Sequence, residues 1–225
     1  MNKYVVVSSK DWFSKHKKSN QFKKLNVIEI LNKKKLNIKN LRKINPKYIF
    51  FIHWNEKVSE EIYKNFKCIV FHTSPLPFGR GGSPIQNLII RGIKNSPVCA
   101  IKMTKVIDGG PVYDSMNITL NGTISEIFLR IAKKIEKLII KICKNNPKPL
   151  KQEGNVVKFS RLKNKDNKIL DKYSIKEIND RIRMVDGEGY DKAYIKFGNY
   201  KLELSNSTIK NKKLLAKIKL YRSDS

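Results

Sequence analysis

The sequence has few acidic residues, no glycine before Gly79 and no long apolar segment. Its 225 residues include 48 Lys and Arg against 19 Asp and Glu, so the formal net charge is +29. No window approaches the roughly 18 consecutive apolar residues of a membrane span, and the N-terminus lacks the apolar segment and cleavage site of a signal peptide. We therefore expect a soluble, cytoplasmic protein without a membrane partner, with one large domain or one moderate and one small domain.

Cysteine is also scarce. The three cysteines, Cys68, Cys99 and Cys143, are odd in number and widely spaced. This arrangement fits neither a disulfide framework nor the paired spacing of a metal site. We predict that all three are small buried core residues, and we expect no bound metal ion.

The excess of positive charge has two explanations. A strongly basic domain attracts the phosphates of nucleic acids. However, Lys, Asn and Ile together supply 91 of the 225 residues, which is the set that A/T-rich codons favour. We therefore interpret the charge as largely compositional and keep nucleic-acid binding as the alternative.

Short apolar runs predict a parallel sheet in the first half of the chain. The clearest runs are residues 4–8, 48–52 and 68–71, and residues 27–30 form a weaker one. Continuous apolar runs of this length are typical of strands that are buried on both faces. Polar segments with helical spacing, such as residues 59–65, separate the later runs. The sequence therefore predicts an α/β fold with a Rossmann-like, mainly parallel sheet.

Capping signals predict three helices. Residues 83–86 combine an N-cap serine, a proline at the first helical position and a glutamine at the third. Residues 123–126 form a second capping box, which precedes an apolar stripe that reaches Cys143. A third capped helix is predicted over residues 174–185.

The segment Asn-Asn-Pro-Lys-Pro at residues 145–149 breaks the helical pattern and is the best boundary in the chain. Beyond it, strand patterns at residues 193–197, 200–204 and 214–220 accompany one helix. We predict a sheet domain over residues 1–147 and a small, mostly β domain over residues 148–225.

The lack of early glycine excludes a glycine-rich phosphate loop at the first strand-to-helix turn, because such loops need glycine where the backbone approaches phosphate. Nicotinamide dehydrogenases and nucleoside triphosphatases are therefore disfavoured. Glycine and proline concentrate instead in residues 72–86, after the 68–71 strand, where open α/β sheets bind ligands. His72 lies at the end of this strand and is a candidate for proton transfer near neutral pH, with a structural histidine as the alternative.

Two other histidines and a second glycine cluster complete the candidates. His16 lies in a Lys-rich polar stretch and is predicted to be a surface residue. His53 ends a strand, where it could be either a functional-site residue or a packing residue. Asp108 precedes Gly109 and Gly110, a pattern that can aim a carboxylate at a strand end, although Asp-Gly is also a common turn signal.

Together these motifs resemble the folate-dependent formyltransferase family. They are His-x-Ser-x-Leu-Pro-x-x-Arg-Gly-x-x-Pro-Ile-Gln at residues 72–86 and Asp-Gly-Gly-Pro-Val at residues 108–112. Residues 159–161, 182–190 and 193–195 look like the small OB-like C-terminal domain of the tRNA and sugar-nucleotide members. The resemblance extends from about residue 48 to residue 204. It implies a formyltransferase fold with a shortened N-terminal half, whose catalytic domain is the predicted 1–147 domain.

The resemblance implies that a formyl group passes from N10-formyltetrahydrofolate, as co-substrate, to an amine. In the family, a histidine, an asparagine and an aspartate stabilise the tetrahedral intermediate. His72 matches the histidine, which polarises the formyl oxygen or accepts the amine proton, and Asp108 matches the aspartate that orients it. The family asparagine stands two residues before the histidine, where this sequence has Val70.

Three interpretations of Val70 remain open. In the first, which we favour, Asn55 supplies the amide from beyond the neighbouring strand and is a catalytic residue, with His53 a weaker substitute. In the second, the reaction proceeds without this donor, at a loss of roughly 10²- to 10³-fold in rate. In the third, the protein no longer catalyses the reaction.

The resemblance also implies binding residues. Folate is held largely by the backbone of two loops, at His53, Trp54, Asn55, Met103, Thr104, Ile107 and Asp108. Acceptor-binding residues are expected next to the motifs, at Phe78, Arg80, Gly81, Gly82, Gln86, Tyr113 and Tyr190, with Tyr194 as a further aromatic candidate. Arg80 is the most promising for an anionic substrate, because an arginine in a glycine-rich loop is suited to bind one. The aromatic residues are equally compatible with ordinary packing.

We expect a sugar-nucleotide N-formyltransferase, which acts on a nucleotide-linked amino sugar in polysaccharide biosynthesis. A methionyl-tRNA formyltransferase is the second choice, since the charge suits tRNA but the N-terminal half is short. A non-catalytic, basic RNA-binding derivative is the third. The glycinamide ribonucleotide member is disfavoured, because its N-terminal glycine loop is missing here. We also expect a homodimer.

Overall fold

The computed structural model describes residues 2–10, 12–54 and 56–222. The chain forms two compact units, each assembled from several segments. Unit 1 contains the residues up to Gly81, Ser96–Ile118 and Leu129–Lys158, and unit 2 contains Gly82–Asn95, Thr119–Phe128 and the residues from Phe159 onward. Because these segments alternate along the chain, the units differ from the domains predicted over residues 1–147 and 148–225, and that division remains a prediction.

Unit 1 is built around a six-stranded sheet. Its six strands are β1 (Lys3–Ser8), β2 (Asn26–Ile30), β3 (Tyr48–Ile52), β4 (Cys68–Thr73), β6 (Asn95–Lys102) and β7 (Val112–Thr119). A short strand, β5 (Phe78–Gly81), lies outside this sheet. The strand order is β2-β1-β3-β4-β6-β7, and β5 pairs separately with β8 (Val157–Phe159). β1 to β4 pair in parallel, whereas β6 is antiparallel to β4. The predicted Rossmann-like, mainly parallel sheet is confirmed.

Apolar sequence explains the centre of this sheet. All five residues of β3 are buried, as expected for a strand that is covered on both faces. On one face, Val5, Ile49 and Phe51 belong to a single apolar cluster that also includes Cys68. The central strands therefore hold the carboxyl end of β4 in a rigid position.

The three cysteines are free and buried, as predicted. Burial raises the pKa of the Cys68 and Cys143 thiols to about 12 and that of Cys99 to about 11. All three therefore stay protonated at neutral pH, which suits core residues.

Helices flank the strands of both units. They are α1 (Trp12–Lys15), α2 (Asn20–Lys23), α3 (Ile38–Ile44), α4 (Glu60–Asn65), α5 (Pro84–Ile90), α6 (Ile124–Asn145) and α7 (Ile175–Arg183), with short 3-10 helices at Lys33–Lys35 and Asn164–Asn167. The capping box of α6 is as predicted. The Thr123 N–H donates to Glu126 Oε2 at 2.7 Å, and the Glu126 N–H donates to Thr123 Oγ1 at 3.4 Å.

The predicted surface position of His16 is wrong. Only 13% of its side chain is exposed, and its Nε2 lies 3.3 Å from Glu136 Oε2 on α6. The same carboxylate accepts a hydrogen bond from the Ser19 N–H at 2.9 Å. This contact joins residues 120 positions apart in the sequence, so a local Lys-rich stretch gave no sign of it.

Unit 2 contains a three-stranded antiparallel sheet with order β11-β10-β9, formed by β9 (Ala193–Phe197), β10 (Tyr200–Lys210) and β11 (Lys213–Arg222). α7 packs against β10 and begins with the predicted capping box of Ser174 and Glu177. The predicted mostly β C-terminal part with one α-helix is therefore confirmed.

The predicted capping hydrogen bonds at the start of α5 are not formed. Ser83 has a left-handed φ of 46° and makes no side-chain bond to the start of the helix. Its Oγ accepts from the Leu162 N–H at 3.1 Å instead, and the Gln86 side chain donates to the Met184 carbonyl at 3.4 Å. Both side chains therefore bond to residues that are distant in the sequence instead of capping the helix.

Within the described ranges, no helix combines the length and apolar character that crossing a bilayer requires. The expected cytoplasmic location and homodimer remain predictions.

Candidate active site

His72 lies near the end of β4 with 7% of its surface exposed. Its Nε2 lies 2.7 Å from the carbonyl oxygen of Gly79, which is in the glycine- and proline-rich loop that the sequence singled out. Ser74 Oγ donates to the same carbonyl at 3.2 Å. The strand and the loop together fix the plane of the imidazole ring.

Asp108 reaches the same ring from the Asp108 loop, which we define as residues 103–111 between β6 and β7. Its Oδ2 lies 3.4 Å from His72 Nδ1 and accepts a hydrogen bond from the Gly81 N–H at 2.9 Å. Asp108 has a left-handed φ of 51°, which is tolerated by aspartate better than by most residues. The structure thus brings together the histidine and the aspartate that the two motifs predicted.

Glycine is required where the Asp108 loop returns to the sheet. A Cβ on Gly110 would lie 1.8 Å from the Lys102 carbonyl oxygen, far inside any permitted contact. The Lys102 N–H also donates to the Pro111 carbonyl at 2.8 Å, which holds the two ends of the loop together. Gly110 therefore allows the close backbone approach that aims Asp108 at β4.

The contacts of His72 constrain its hydrogens. Both ring nitrogens face oxygen atoms that only accept, and a neutral imidazole has one N–H to donate. The Gly79 contact has ordinary hydrogen-bond length and the Asp108 contact is longer. We therefore assign the neutral ring's proton to Nε2, which leaves the Nδ1 lone pair on the Asp108 side.

Gln152 is a site residue that sequence reasoning missed. Its Oε1 accepts from Arg80 Nε at 3.0 Å and from Arg80 Nη2 at 2.6 Å. Its Nε2 donates to the Asp108 and Gly110 carbonyls, both at 2.8 Å. Gln152 lies in an irregular connector 44 residues beyond Asp108, where no periodicity or motif marks it.

Comparisons with known proteins give the family. The structure of the methionyl-tRNA formyltransferase from Clostridium thermocellum matches with a TM-score of 0.93 and 40% identity, and the match covers 99% of this chain and 100% of that one. The chain belongs to the folate-dependent formyltransferase family. A family model described as the C-terminal domain of methionyl-tRNA formyltransferase also matches residues 164–221.

Curated relatives within the family carry the same name. The methionyl-tRNA formyltransferase of Campylobacter lari is 33% identical over 150 residues, which are 63% of this chain and 50% of the relative. The chain therefore spans about half the length of the curated relatives that it matches first. A 4-N formyltransferase from Francisella tularensis matches with a TM-score of 0.66 and 19% identity, over 88% of this chain and 93% of that one, which supports the fold alone.

These comparisons correct the expected acceptor. The prediction of a sugar-nucleotide N-formyltransferase with a nucleotide-sugar partner is wrong. The match to a methionyl-tRNA formyltransferase is much closer in structure and sequence than the match to a sugar N-formyltransferase from Shewanella sp., which has a TM-score of 0.66 and 16% identity over 91% of this chain and 97% of that one. The polysaccharide role is not favoured either. The shortened N-terminal half had argued against the tRNA member, yet the match to that member covers 99% of this chain.

The family's asparagine position is occupied by an apolar side chain. Val70 lies on β4 two residues before His72, half-buried, with Phe51 of β3 and Ile101 of β6 as its neighbours in register. The proposed substitute, Asn55, lies outside the described residues. His53 has a φ of 50°, and its ring meets the edge of Trp12 at 6.0 Å between centroids.

The predicted folate residues fall into two groups. Trp54 and Met103 pack against the apolar cluster of the sheet, and Trp54 Nε1 is buried without a hydrogen-bond partner among the described residues. Thr104 and Ile107 lie in the Asp108 loop, where Thr104 Oγ1 donates to the Val106 carbonyl at 3.1 Å and Ile107 is 77% exposed.

The predicted acceptor residues are divided between the units. Phe78, Arg80, Gly81 and Tyr113 belong to unit 1, whereas Gly82, Gln86, Tyr190 and Tyr194 belong to unit 2. Two of the tyrosines pack on other aromatic rings, Tyr113 on Tyr48 and Tyr190 on Phe128, both at 6.1 Å, and burial raises the pKa of each hydroxyl. Acceptor binding by this set remains a prediction.

Proposed function

We propose that the protein is an N-formyltransferase that moves a formyl group from N10-formyltetrahydrofolate to the amine of methionyl-tRNA. The observation that carries the proposal is the similarity to a methionyl-tRNA formyltransferase over nearly the whole of both chains. The contact between His72 and Asp108 supplies the chemistry at one end of the sheet.

His72 accepts the proton that the attacking amine must lose. Its Nε2–H is held by the Gly79 carbonyl, which fixes the tautomer and leaves Nδ1 basic. An imidazole that keeps one ring nitrogen unprotonated is suited to accept a proton from an attacking amine.

Asp108 stabilises the ring once it is protonated. Its carboxylate is 12% exposed and lies 3.4 Å from Nδ1, so the new positive charge forms next to a largely desolvated anion. The Gly81 N–H holds the carboxylate in place at 2.9 Å. Asp108 thus favours proton transfer to the ring and keeps the ring oriented. The proton then passes from the ring to N10 as the bond between the formyl carbon and N10 breaks and tetrahydrofolate leaves.

The folate co-substrate supplies an activated formyl carbon when it is bound. The residues suited to hold it are Trp54 and Met103 on the apolar cluster and Ile107 on the Asp108 loop. Two observations fit a flat ring with polar edges here: the buried Trp54 N–H has no partner among the described residues, and the Ile107 side chain is 77% exposed. Burying that side chain against an apolar ring contributes favourably to binding.

The positive charge suits a nucleic-acid acceptor. Between Ala193 and Arg222, the segment of β9, β10 and β11, eight side chains are Lys or Arg and only Glu203 is acidic. Phosphate contacts by such side chains release counterions, so binding should weaken steeply with salt. Codon composition is sufficient to explain the positive charge, but in this proposal the same charge also binds the phosphates of tRNA.

Turnover tests the proposal directly. Incubation with N10-formyltetrahydrofolate and methionyl initiator tRNA should yield tetrahydrofolate and formylmethionyl-tRNA, and nucleotide-linked amino sugars should yield no product. His72→Ala should lower kcat by about 10²- to 10⁴-fold, the usual contribution of a general base. Formylation of a sugar but not of tRNA would exclude the proposal.

A second candidate follows from Val70. Because the family's amide donor is missing there, a non-catalytic RNA-binding derivative is the alternative. It predicts tight, salt-dependent binding of tRNA with no turnover, and single-turnover measurements at high enzyme concentration distinguish the two.

A further inference from the structure

We propose that Gln152 is a positioning residue, which holds the Asp108 loop in the geometry that catalysis requires. The inference rests on the proposed function for its kinetic test, and on the structure alone for its spectroscopic test. Gln152 touches neither His72 nor the Asp108 carboxylate in the contacts described above. It acts through the backbone of the Asp108 loop and through Arg80.

The amide of Gln152 is fully used. A primary amide offers two N–H donors and two acceptor lone pairs, and here Arg80 fills both acceptor sites while the Asp108 and Gly110 carbonyls take both donors. Arg80 can only donate and the carbonyls can only accept, so a single orientation of the amide satisfies all four bonds. Among uncharged side chains of this length, only glutamine presents this combination.

The main chain next to Gln152 is also anchored. The Leu150 and Val112 backbones exchange two hydrogen bonds, at 2.7 and 2.9 Å, which attach the connector to the start of β7. Val112 directly follows the Asp108 loop. The connector therefore places Gln152 beside the loop without help from any helix or long strand.

These bonds constrain the aspartate. Gln152 holds the carbonyls of Asp108 and Gly110, so it fixes the Asp108–Gly109 peptide and the Gly110–Pro111 peptide. The Asp108 backbone there has a φ of 51°, a conformation that the surroundings must maintain. If these bonds are lost, the loop can relax and the carboxylate moves relative to His72 Nδ1.

Two substitutions separate the roles of the amide. Gln152→Leu removes every hydrogen bond, whereas Gln152→Glu keeps an acceptor for Arg80 but turns an oxygen toward two carbonyls. We expect both to lower kcat by about 10- to 100-fold, because displacement of a catalytic group by about 1 Å has effects of this size. KM should rise less than kcat falls, since Gln152 orients Asp108 and reaches the substrates only indirectly, through Arg80 and the Asp108 loop. Gln21→Leu, at an exposed glutamine on α2, is the matched control and should retain the wild-type kcat.

A double-mutant cycle distinguishes positioning from general structural damage. Adding Gln152→Leu to Asp108→Ala should cause no further loss of kcat, because Gln152 acts through Asp108. Losses that multiply would overturn the proposal, as would a wild-type kcat in either Gln152 variant. Should Gln152→Leu not fold, Gln152→Glu takes its place in the cycle, since its contact with Arg80 keeps the connector attached.

The spectroscopic test needs no turnover. The ¹⁵N resonance of His72 Nδ1, assigned by its loss in His72→Ala, should move in the same direction in Asp108→Ala and in the Gln152 variants, and should stay in place in Gln21→Leu. An unmoved resonance in a folded Gln152 variant refutes positioning. If the wild-type protein forms no formylmethionyl-tRNA, the proposed function fails, and this resonance still decides the role of Gln152.

Discussion

Replacing Val70 by asparagine places an amide two residues before His72, on the same face of β4. The two Cα atoms are roughly 6.6 Å apart along an extended strand, so an asparagine side chain reaches the neighbourhood of the imidazole. One donor to a developing oxyanion contributes about 2.7–4 kcal/mol to the transition state. Where no other residue supplies this donor, we therefore expect kcat for formyl transfer to rise by about 10²-fold or more, whereas a donor from Asn55 would leave kcat unchanged.

The same substitution should lower the free energy of unfolding, but by less than the total stability of the domain. Val70 is half-buried between Phe51 and Ile101, and an amide without a partner there costs about 1–3 kcal/mol. A domain with about 5–15 kcal/mol of stability remains folded after such a loss. Thermal denaturation should therefore show a lower Tm with the fold retained.

The assay is kcat at saturating folate and methionyl-tRNA. Val70→Asp is the matched control, because the carboxylate has the same shape as the amide but donates no hydrogen bond when ionised. It should give no gain. A folded Val70→Asn variant with the wild-type kcat refutes the reasoning and points to a donor that is already supplied from elsewhere.

Three further predictions concern Asn55, the cysteines and Gly110. Asn55→Ala should lower kcat by about 10²- to 10³-fold if this residue supplies the missing donor, and an unchanged kcat in steady-state assays rules that role out. The folded thiols of Cys68, Cys99 and Cys143 have pKa values raised to about 12, 11 and 12, against about 8.5 when unfolded. Stability should thus be full below pH 8.5 and fall above it, because the unfolded state loses protons that the folded state keeps; equal urea midpoints at pH 8 and pH 10 contradict this. Gly110→Ala should lower both Tm and kcat, since its Cβ would lie 1.8 Å from a carbonyl oxygen of β6; thermal melts and turnover assays with the wild-type values would show that the loop adjusts freely.

The sequence allowed the sheet and the His72–Asp108 contact to be predicted because both are marked by local patterns. The apolar run at Tyr48–Ile52 has no solvated face, and glycine is necessary where the Asp108 loop approaches β6. The glycines that cluster from residue 79 onward therefore indicated positions where the backbone approaches another segment closely. The contact of Asp108 with His72 was implied by the resemblance to the formyltransferase family, since Asp-Gly alone is equally a turn signal.

What could not be predicted depends on contacts between distant segments. Ser83 has every local feature of an N-cap, yet the Leu162 N–H takes its hydroxyl. His16 lies among lysines, yet Glu136 holds its ring. Gln152 has four hydrogen bonds and no surrounding pattern, because its partners are determined by tertiary structure rather than by spacing along the chain.

The alternation of the two units along the chain limits how the protein can be divided or recombined. A chain cut after residue 147 keeps α5 and the whole of α6, whose first residues belong to unit 2. It loses α7 and the sheet of β9 to β11, which belong to unit 2 as well. α5 and α7 pack against each other within unit 2, so such a fragment exposes an apolar helix face that was buried. Exchange of the C-terminal part between relatives by one crossover at that junction would therefore carry over only one of the three segments that make up unit 2.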